Sequence, residues 1–323
     1  MRFMFGFVLV LGIGLSAQEM IPGTARIIVK DTDPQTTSGW ICPMHPNEVK
    51  AEPGNCSICG MKLVPGDPAA TADYGLKVTT EPRAVKAGEK TRFRFAISHP
   101  VSGAPVDSFA EVHDKLFHLF IVSRDMKEFF HEHPVLQKDG SFTIEHTLPK
   151  PGQYVLFSDF MPNGGGPQLI ATPIVTAGYE GDIASDVPNL VADPPWVRTL
   201  DGVTMTMQLE PARLIAGEEV DIPIHFEDEK TGAPIKDLQR YLGAFGHAMM
   251  LSEDMMEHVH AHPAEMLEGT TITSGGGPDL VFHALFPKPG HYRIWLQFQR
   301  KDKLSTVALT VRVLRMGETA TTP

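Results

Sequence analysis

Hydrophobic and polar residues alternate over short runs in much of the chain. Residues 91–97 (TRFRFAI) place Phe93, Phe95 and Ile97 on one face, which is typical of a half-buried β-strand. The pattern predicts β-sandwich domains. It leaves room for short helices only near residues 107–115 and 236–242. Further β-prone runs, separated by glycine-containing turns, occupy residues 118–122, 154–157 and 291–298.

The chain contains two copies of one sequence pattern. Residues 81–134 align with residues 210–263 at a constant offset of 129 positions and without a gap. After an insertion in the second copy, residues 149–152 align with residues 287–290 at an offset of 138 positions. A register of this length indicates a duplicated domain of about 100 residues.

The N-terminus has the features of an export signal. Basic Arg2 is followed by an apolar run over residues 3–15 and by the small pair Ser16-Ala17. The run is short for a bilayer span, and no later stretch approaches transmembrane length. We therefore predict a periplasmic or secreted protein that has no stable membrane insertion once the signal has been cleaved.

The amino-acid composition restricts the kinds of molecule or ion that the protein is expected to bind. The formal net charge is −11 and no basic stretch stands out, which argues against nucleic acid because phosphate binding needs clustered positive charge. Three cysteines cannot form a disulfide framework. The 14 histidines and 15 methionines are potential ligands for soft and borderline metal ions.

All three cysteines lie in one short segment, residues 40–63, with the spacing C-x2-H, ten residues, then C-x2-C. Cys42, His45, Cys56 and Cys59 would supply three thiolates and one imidazole, a closed tetrahedral set for a soft or borderline ion. The alternative is a Cys56–Cys59 disulfide with Cys42 left over. The nearby Met44 and Met61 are either thioether ligands or packing residues.

Each copy of the repeat also carries a histidine on one strand and a His-x-His-Pro motif about a dozen residues later. If an even-numbered loop joins the two strands, all three imidazoles of a copy share one face. The alternative is that they are structural histidines held by hydrogen bonds. Methionines near the second set, at positions 249, 250, 255, 256 and 266, suit either copper or a hydrophobic core. The predicted ligands are His118, His131 and His133 in the first copy, and His247, His260 and His262 in the second.

Together these features predict a mainly β chain, with a small Cys/His metal-binding module followed by two tandem immunoglobulin-like β-sandwich domains. The predicted segments are a signal peptide (1–17), an N-terminal extension (18–38), the module (39–66), a linker (67–75), the first sandwich (76–178), a second linker (179–202), the second sandwich (203–314) and a C-terminal tail (315–323).

Two segments resemble known families. The run Cys-Pro-Met-His-Pro with the later Cys-Ser-Ile-Cys-Gly-Met resembles the heavy-metal-binding domain found on copper-type P-type ATPases and on adaptor subunits of metal efflux pumps. It departs from the family pattern at Trp40 and Ser57, neither of which is a candidate ligand. The resemblance implies metal binding at the three cysteines and His45. The repeats are similar to secreted YtkA-like β-sandwich domains, which implies the same fold and a histidine site.

We predict an exported protein that binds metal ions and has no enzymatic activity. The protein would sequester, buffer or transfer Cu(I) or Cu(II), or alternatively Zn(II) or silver, in metal homeostasis or resistance, with a metal efflux component as a possible partner. One alternative is a partner-binding scaffold with a single structural metal. Another is a metalloenzyme with an open three-histidine site. A blue-copper site within a repeat is excluded because neither repeat contains cysteine.

Overall fold

Short strands make up all the regular secondary structure in the described part of the chain. The computed structural model describes residues 39–43, 45, 47–57, 60–70, 72–183, 187–209, 213–263 and 276–318. The predicted signal peptide, the N-terminal extension and the end of the tail (319–323) lie outside these residues. The strands are β1 (Gly39–Ile41), β2 (Val49–Lys50), β3 (Val64–Gly66), β4 (Gly75–Glu81), β5 (Lys90–Ser98), β6 (Phe117–Ser123), β7 (Phe129–Glu132), β8 (Val135–Leu136), β9 (Phe142–Thr147), β10 (Gln153–Phe160), β11 (Gln168–Val175), β12 (Val197–Leu200), β13 (Val203–Met207), β14 (Leu214–Ile215), β15 (Glu219–Asp228), β16 (His247–Ser252), β17 (His258–Ala261), β18 (Asp279–Leu285), β19 (Gly290–Arg300) and β20 (Lys303–Leu314).

The chain is mainly β, with a small Cys/His module followed by two tandem immunoglobulin-like sandwiches, as predicted. The short helices considered near residues 107–115 and 236–242 are absent, and both stretches are loops with isolated β-bridges. Strand β12 lies inside the segment 179–202 that was expected to be a linker. It pairs with β13 as an edge strand. In the part of the chain that the structure describes, no helix has the length and apolarity needed to cross a membrane.

The Cys/His module is a three-stranded sheet in the order β2-β1-β3. It has almost no core of its own. Ile41 and Val64 instead pack against Ala110 and Met161 of the first repeat. The module is therefore seated on the first sandwich through apolar contacts.

Each repeat is a sandwich of two sheets. The first combines the sheet β4-β5-β9-β8 with the sheet β11-β10-β6-β7. The second combines β12-β13-β15-β18 with β14-β20-β19-β16-β17. Strand β5 buries every second side chain, as the alternation over residues 91–97 predicts. The apolar faces of the two sheets form one core in each repeat.

Strands β6 and β16 are buried on both faces. On β6, Leu119 and Ile121 point into the core of the first sandwich, whereas Phe120 and Val122 point towards the second repeat. The contact between the repeats is a separate hydrophobic cluster in which the Phe129 ring stacks on Trp295 at 4.7 Å. Because alternate residues share a face, His118 and His247 also point to the contact between the repeats.

Candidate metal centres

The Cys/His module brings together three of its four predicted ligands. The Sγ atoms of Cys42 and Cys56 each lie 3.7 Å from Nδ1 of His45. Ligand atoms of the three residues all lie within 4.8 Å of one another, and both cysteine side chains are fully buried. Cys59 lies outside the described residues, so its part in the site and the disulfide alternative both stay predictions.

A tight turn aims Cys56 at this site. The Cys56 N–H donates to the Met61 carbonyl at 2.7 Å, and the Gly60 N–H donates back to the Cys56 carbonyl at 3.0 Å. Gly60 has a φ of 75°, which glycine adopts without steric cost. Met61 is half-buried beside the turn, and Met44 lies outside the described residues.

The predicted histidines of the first repeat converge at the end of the β6–β7 hairpin. The register pairs Leu119 with Glu132, which sets His118 opposite His133 as an even-numbered loop requires. Nδ1 of His118 lies 3.0 Å from Nε2 of His131. Ligand atoms of the three histidines lie within 4.8 Å of one another, and we call them the first triad.

The second repeat builds the same arrangement on the β16–β17 hairpin. Ala248 pairs with Ala261, so that His247 lies opposite His262. With His260 they form the second triad, whose ligand atoms also lie within 4.8 Å of one another. Both predicted sets are therefore spatial clusters.

Hydrogen bonds on the outer side of the rings select the tautomers. Nε2–H of His118 donates to the Val112 carbonyl at 2.9 Å, and Nε2–H of His247 donates to the Tyr241 carbonyl at 2.6 Å. These carbonyls occupy corresponding positions in the two repeats. A neutral imidazole that donates through Nε2 keeps its lone pair on Nδ1. Outer-side bonds of this kind are typical of metal-binding histidines.

A side chain of the second repeat orients His131 of the first. His131 Nδ1–H donates to Oε1 of Gln297 at 2.8 Å, while Nε2 of Gln297 donates to Thr306 at 3.1 Å. His131 therefore keeps its lone pair on Nε2, 3.0 Å from the lone pair on Nδ1 of His118. Two nitrogens bound to one ion at about 2.0–2.1 Å lie roughly 2.9–3.4 Å apart. The pair has the spacing of two ligands of one cation.

The reciprocal contact joins the first repeat to the second triad. Oδ2 of Asp159 lies 3.5 Å from Nδ1 of His260. Asp159 is the counterpart of Gln297, since it pairs with His118 just as Gln297 pairs with His247. Each repeat thus supports the central histidine of the other, in a pseudo-twofold arrangement. The two supports differ in charge, and burial raises the pKa of the Asp159 carboxyl.

A seventh histidine, which sequence reasoning did not single out, lies among the two triads. The His113 ring stacks on His262 at 3.6 Å and is edge-on to His247 at 6.0 Å. Its counterpart in the second repeat is Leu242, so a comparison of the two repeats does not mark His113 as a candidate ligand. Rings of the two triads also approach one another across the repeats, at 5.7 and 6.1 Å. The histidine cluster comprises His113, His118, His131, His133, His247, His260 and His262.

These buried imidazoles are uncharged at neutral pH. Burial, with the neighbouring His118, lowers the pKa of His133 to about 3. Burial also lowers the pKa of His247 to about 4, despite the Tyr241 carbonyl. The other histidines of the cluster have pKa values below the usual one, chiefly because of burial.

Several ring nitrogens of the histidine cluster are buried with no hydrogen-bond partner among the described residues. Buried polar groups are normally satisfied, so ring nitrogens without a partner fit ligands of a bound cation. The donor set consists of neutral imidazoles, which suit copper and zinc. The unpartnered atoms are Nε2 of His113, His133 and His260, Nδ1 of His247, and both nitrogens of His262.

The candidate methionines of the second repeat differ in their surroundings. Met249 and Met255 belong to the apolar contact between the repeats, and Met250 belongs to the core of the second sandwich. Met256 is 73% exposed, and Met266 lies outside the described residues. The packing alternative therefore holds for the first three.

Comparisons with known proteins match the module and the repeats separately. The family described as Heavy metal binding domain matches residues 40–65. The family described as Domain of unknown function (DUF8832) matches residues 70–177 and again residues 198–315. No curated protein is significantly similar to the chain in sequence.

Solved structures are similar only at a distance. The adhesin InvE of Yersinia pseudotuberculosis is 9% identical, with a TM-score of 0.24, over 74% of this chain and 60% of that one. Alpha-2-macroglobulin from Escherichia coli is 10% identical, with a TM-score of 0.25, over 76% of this chain and 17% of that one. Domains 4 and 5 of the S-layer protein SbsC are 12% identical, with a TM-score of 0.20, over 76% and 99%.

The chain spans less than two thirds of the InvE and alpha-2-macroglobulin chains, and these similarities carry no information on its function. The family matches are more specific. With two copies covering most of its length, the chain belongs to the family described as Domain of unknown function (DUF8832), and a heavy-metal-binding segment precedes the first copy.

Proposed function

We propose that the chain is an exported protein that binds copper, or alternatively zinc or silver, and sequesters, buffers or hands over these ions in metal homeostasis or resistance. The proposal rests on one observation: Nδ1 of His118 and Nε2 of His131 lie 3.0 Å apart. The other nitrogen of each ring donates a hydrogen bond, so these two nitrogens keep their lone pairs. A cation relieves their mutual repulsion. The protein's partners are the ions themselves and a component of a metal efflux system.

Further support comes from the family match, from the two kinds of ligand cluster and from the net charge of the chain. The matched heavy-metal-binding segment supplies a thiolate-rich site, and the triads supply imidazole sites. The net charge of −11 favours cations near the surface. The proposal also includes a periplasmic or secreted location, a relationship of the repeats to YtkA-like domains, and no catalytic activity.

The test is a competition titration of the mature protein with Cu(I) and Zn(II) under reducing conditions. The unmodified chain is compared with the triple variant Cys42→Ser/Cys56→Ser/Cys59→Ser and with His118→Gln/His131→Gln. His225→Gln, a change on the outer face of the second sandwich, is the matched control. We expect more than one ion per chain, with a fraction that survives the cysteine variant and falls in the histidine variant.

Two outcomes would contradict the proposal at different levels. A single ion that depends only on the thiols would make the triads structural and favour the scaffold alternative. No binding of either ion would refute metal handling altogether.

A further inference from the structure

One cavity touches both kinds of candidate site. It has a volume of about 620 Å³ and lies where the module, the first repeat and the second repeat meet. A ligand of the module and a ligand of the second triad both line it, together with further donor side chains. These lining residues include His45, Met61, His113, His262, Glu219 and His283.

Two pairs of imidazoles line the cavity. The His45 ring is 6.4 Å from the ring of His283 on β18, and the His113 ring stacks on His262 at 3.6 Å. His262 has both ring nitrogens unpartnered among the described residues. Imidazoles therefore line the cavity both beside the module and beside the second triad.

The wall beside the module is acidic. His283 Nδ1 lies 2.9 Å from Oδ1 of Asp221, its partner across β15 and β18, and His283 Nε2 lies 3.7 Å from Glu219. Two carboxylates thus flank one imidazole on the sheet face that borders the cavity. Such a face attracts cations.

The corresponding wall of the first repeat has the opposite character. Glu219, Asp221 and His283 align with Lys90, Arg92 and Glu145. There Arg92 and Lys90 form ion pairs with Glu145 at 3.1 and 3.3 Å. The two sheets share their register, so the fold does not require acidic residues at this place. The acidic set occurs in the second repeat, where Glu219 and His283 line the cavity beside the module.

We propose that this cavity is an internal relay through which an ion passes between the Cys/His module and the second triad. The relay rests on the proposed function, since it needs both sites to bind metal. The ion keeps its oxidation state throughout. Its bonds to the thiolates of Cys42 and Cys56 break as bonds to imidazole nitrogens form, and the vacated thiolates take up protons or a second ion.

The test uses Co(II) on the full mature chain, because Co(II) thiolate complexes have a charge-transfer absorption that all-imidazole complexes lack. One equivalent of Co(II) is added under a phosphine reductant. One equivalent of Ag(I) then expels Co(II) from the module, since thiolates prefer the softer ion. A chelator in the solvent captures any Co(II) that escapes. Rapid-mixing spectroscopy follows how much Co(II) reaches imidazole and how much reaches the chelator.

The wall variant is Glu219→Gln/His283→Gln, and the matched control is Lys90→Gln/Glu145→Gln in the first repeat. These side chains are partly or fully exposed, so both variants should fold. We expect most of the Co(II) to reach imidazole in the unmodified chain and in the control. In the wall variant, the ratio of imidazole-bound to chelator-bound Co(II) should fall about tenfold.

Several results would overturn the relay. They are complete capture by the chelator in the unmodified chain, an unchanged ratio in the wall variant, and the absence of a thiolate band at any stage. If the module and the triads bind Co(II) but exchange it through solvent, the relay fails while the proposed function stands. If neither site binds, both fail.

Discussion

His131 of the first repeat donates a 2.8 Å hydrogen bond from Nδ1 to Oε1 of Gln297 in the second repeat. Asp159 of the first repeat lies 3.5 Å from Nδ1 of His260 in the second. The contact between the repeats is therefore part of the chemistry of both triads. A ligand-bearing hairpin in either repeat depends on the other repeat for the orientation of its central imidazole.

Replacing Gln297 with Leu should weaken metal binding at the first triad. Without the amide oxygen, the His131 ring can take the tautomer that points Nε2–H at His118. Loss of such an outer contact typically costs about 10–100-fold in metal affinity. A competition titration measures this loss of affinity when Gln297→Leu is combined with the Cys42→Ser/Cys56→Ser/Cys59→Ser triple variant. Gln299→Leu, two residues further along the same strand, serves as control, and equal affinities in the two variants would contradict the prediction.

The charge difference between Asp159 and Gln297 should make the two triads unequal. A carboxylate behind His260 strengthens the imidazole as a ligand for a divalent ion more than an amide does. Asp159→Asn should therefore lower Zn(II) affinity at the second triad by about tenfold and bring the two sites closer together. The reciprocal change, Gln297→Asp, should raise affinity at the first triad. If both changes shift affinity in the same direction, the charge argument is wrong.

The metal-free protein should lose stability as the pH falls below about 6.5. Burial lowers the pKa of His247 to about 4 and of His133 to about 3, so below 6.5 the unfolded chain binds more protons than the folded one. The stabilisation is complete above pH 6.5 and is lost as the pH falls towards 4. At pH 5, His247 alone accounts for roughly 2 kcal/mol.

Urea unfolding of the metal-free chain at pH 7.5 and pH 5 measures this loss. His247→Gln should flatten the pH dependence, because the buried imidazole is then absent from both the folded and the unfolded chain. A free energy of unfolding that is equal at both pH values would contradict the prediction.

Separating the repeats should impair both triads at once. Trp295 is buried at the contact, where Phe129 stacks on it at 4.7 Å. Trp295→Ala should lower the free energy of unfolding by about 3–5 kcal/mol and reduce metal affinity at both triads. Phe286→Ala, within the core of the second sandwich, is the control of similar cost. If both variants lose metal affinity equally, the loss reflects general destabilisation and the contact has no special role.

The β-sandwiches were predictable because their signals are local and doubled. Alternation over residues 91–97 requires one buried face, and the ungapped repeat requires the same topology twice. The convergence of His118 and His133 was predicted on the condition that an even-numbered loop joins β6 and β7, and the observed register meets that condition. Strand β12 and the loops near residues 107–115 were not predictable, because edge pairing and irregular backbone depend on neighbours distant in the chain.

Local sequence patterns identified the three histidines of each triad, because strand periodicity together with an even-numbered loop sets the geometry within one hairpin. They did not determine that the two triads would meet. That depends on both faces of β6 and β16 being buried, with Phe129 stacking on Trp295 across the repeats. Only the tertiary structure brought His113 onto His262 and Gln297 onto His131. Such contacts join positions more than 140 residues apart, and no local pattern encodes them.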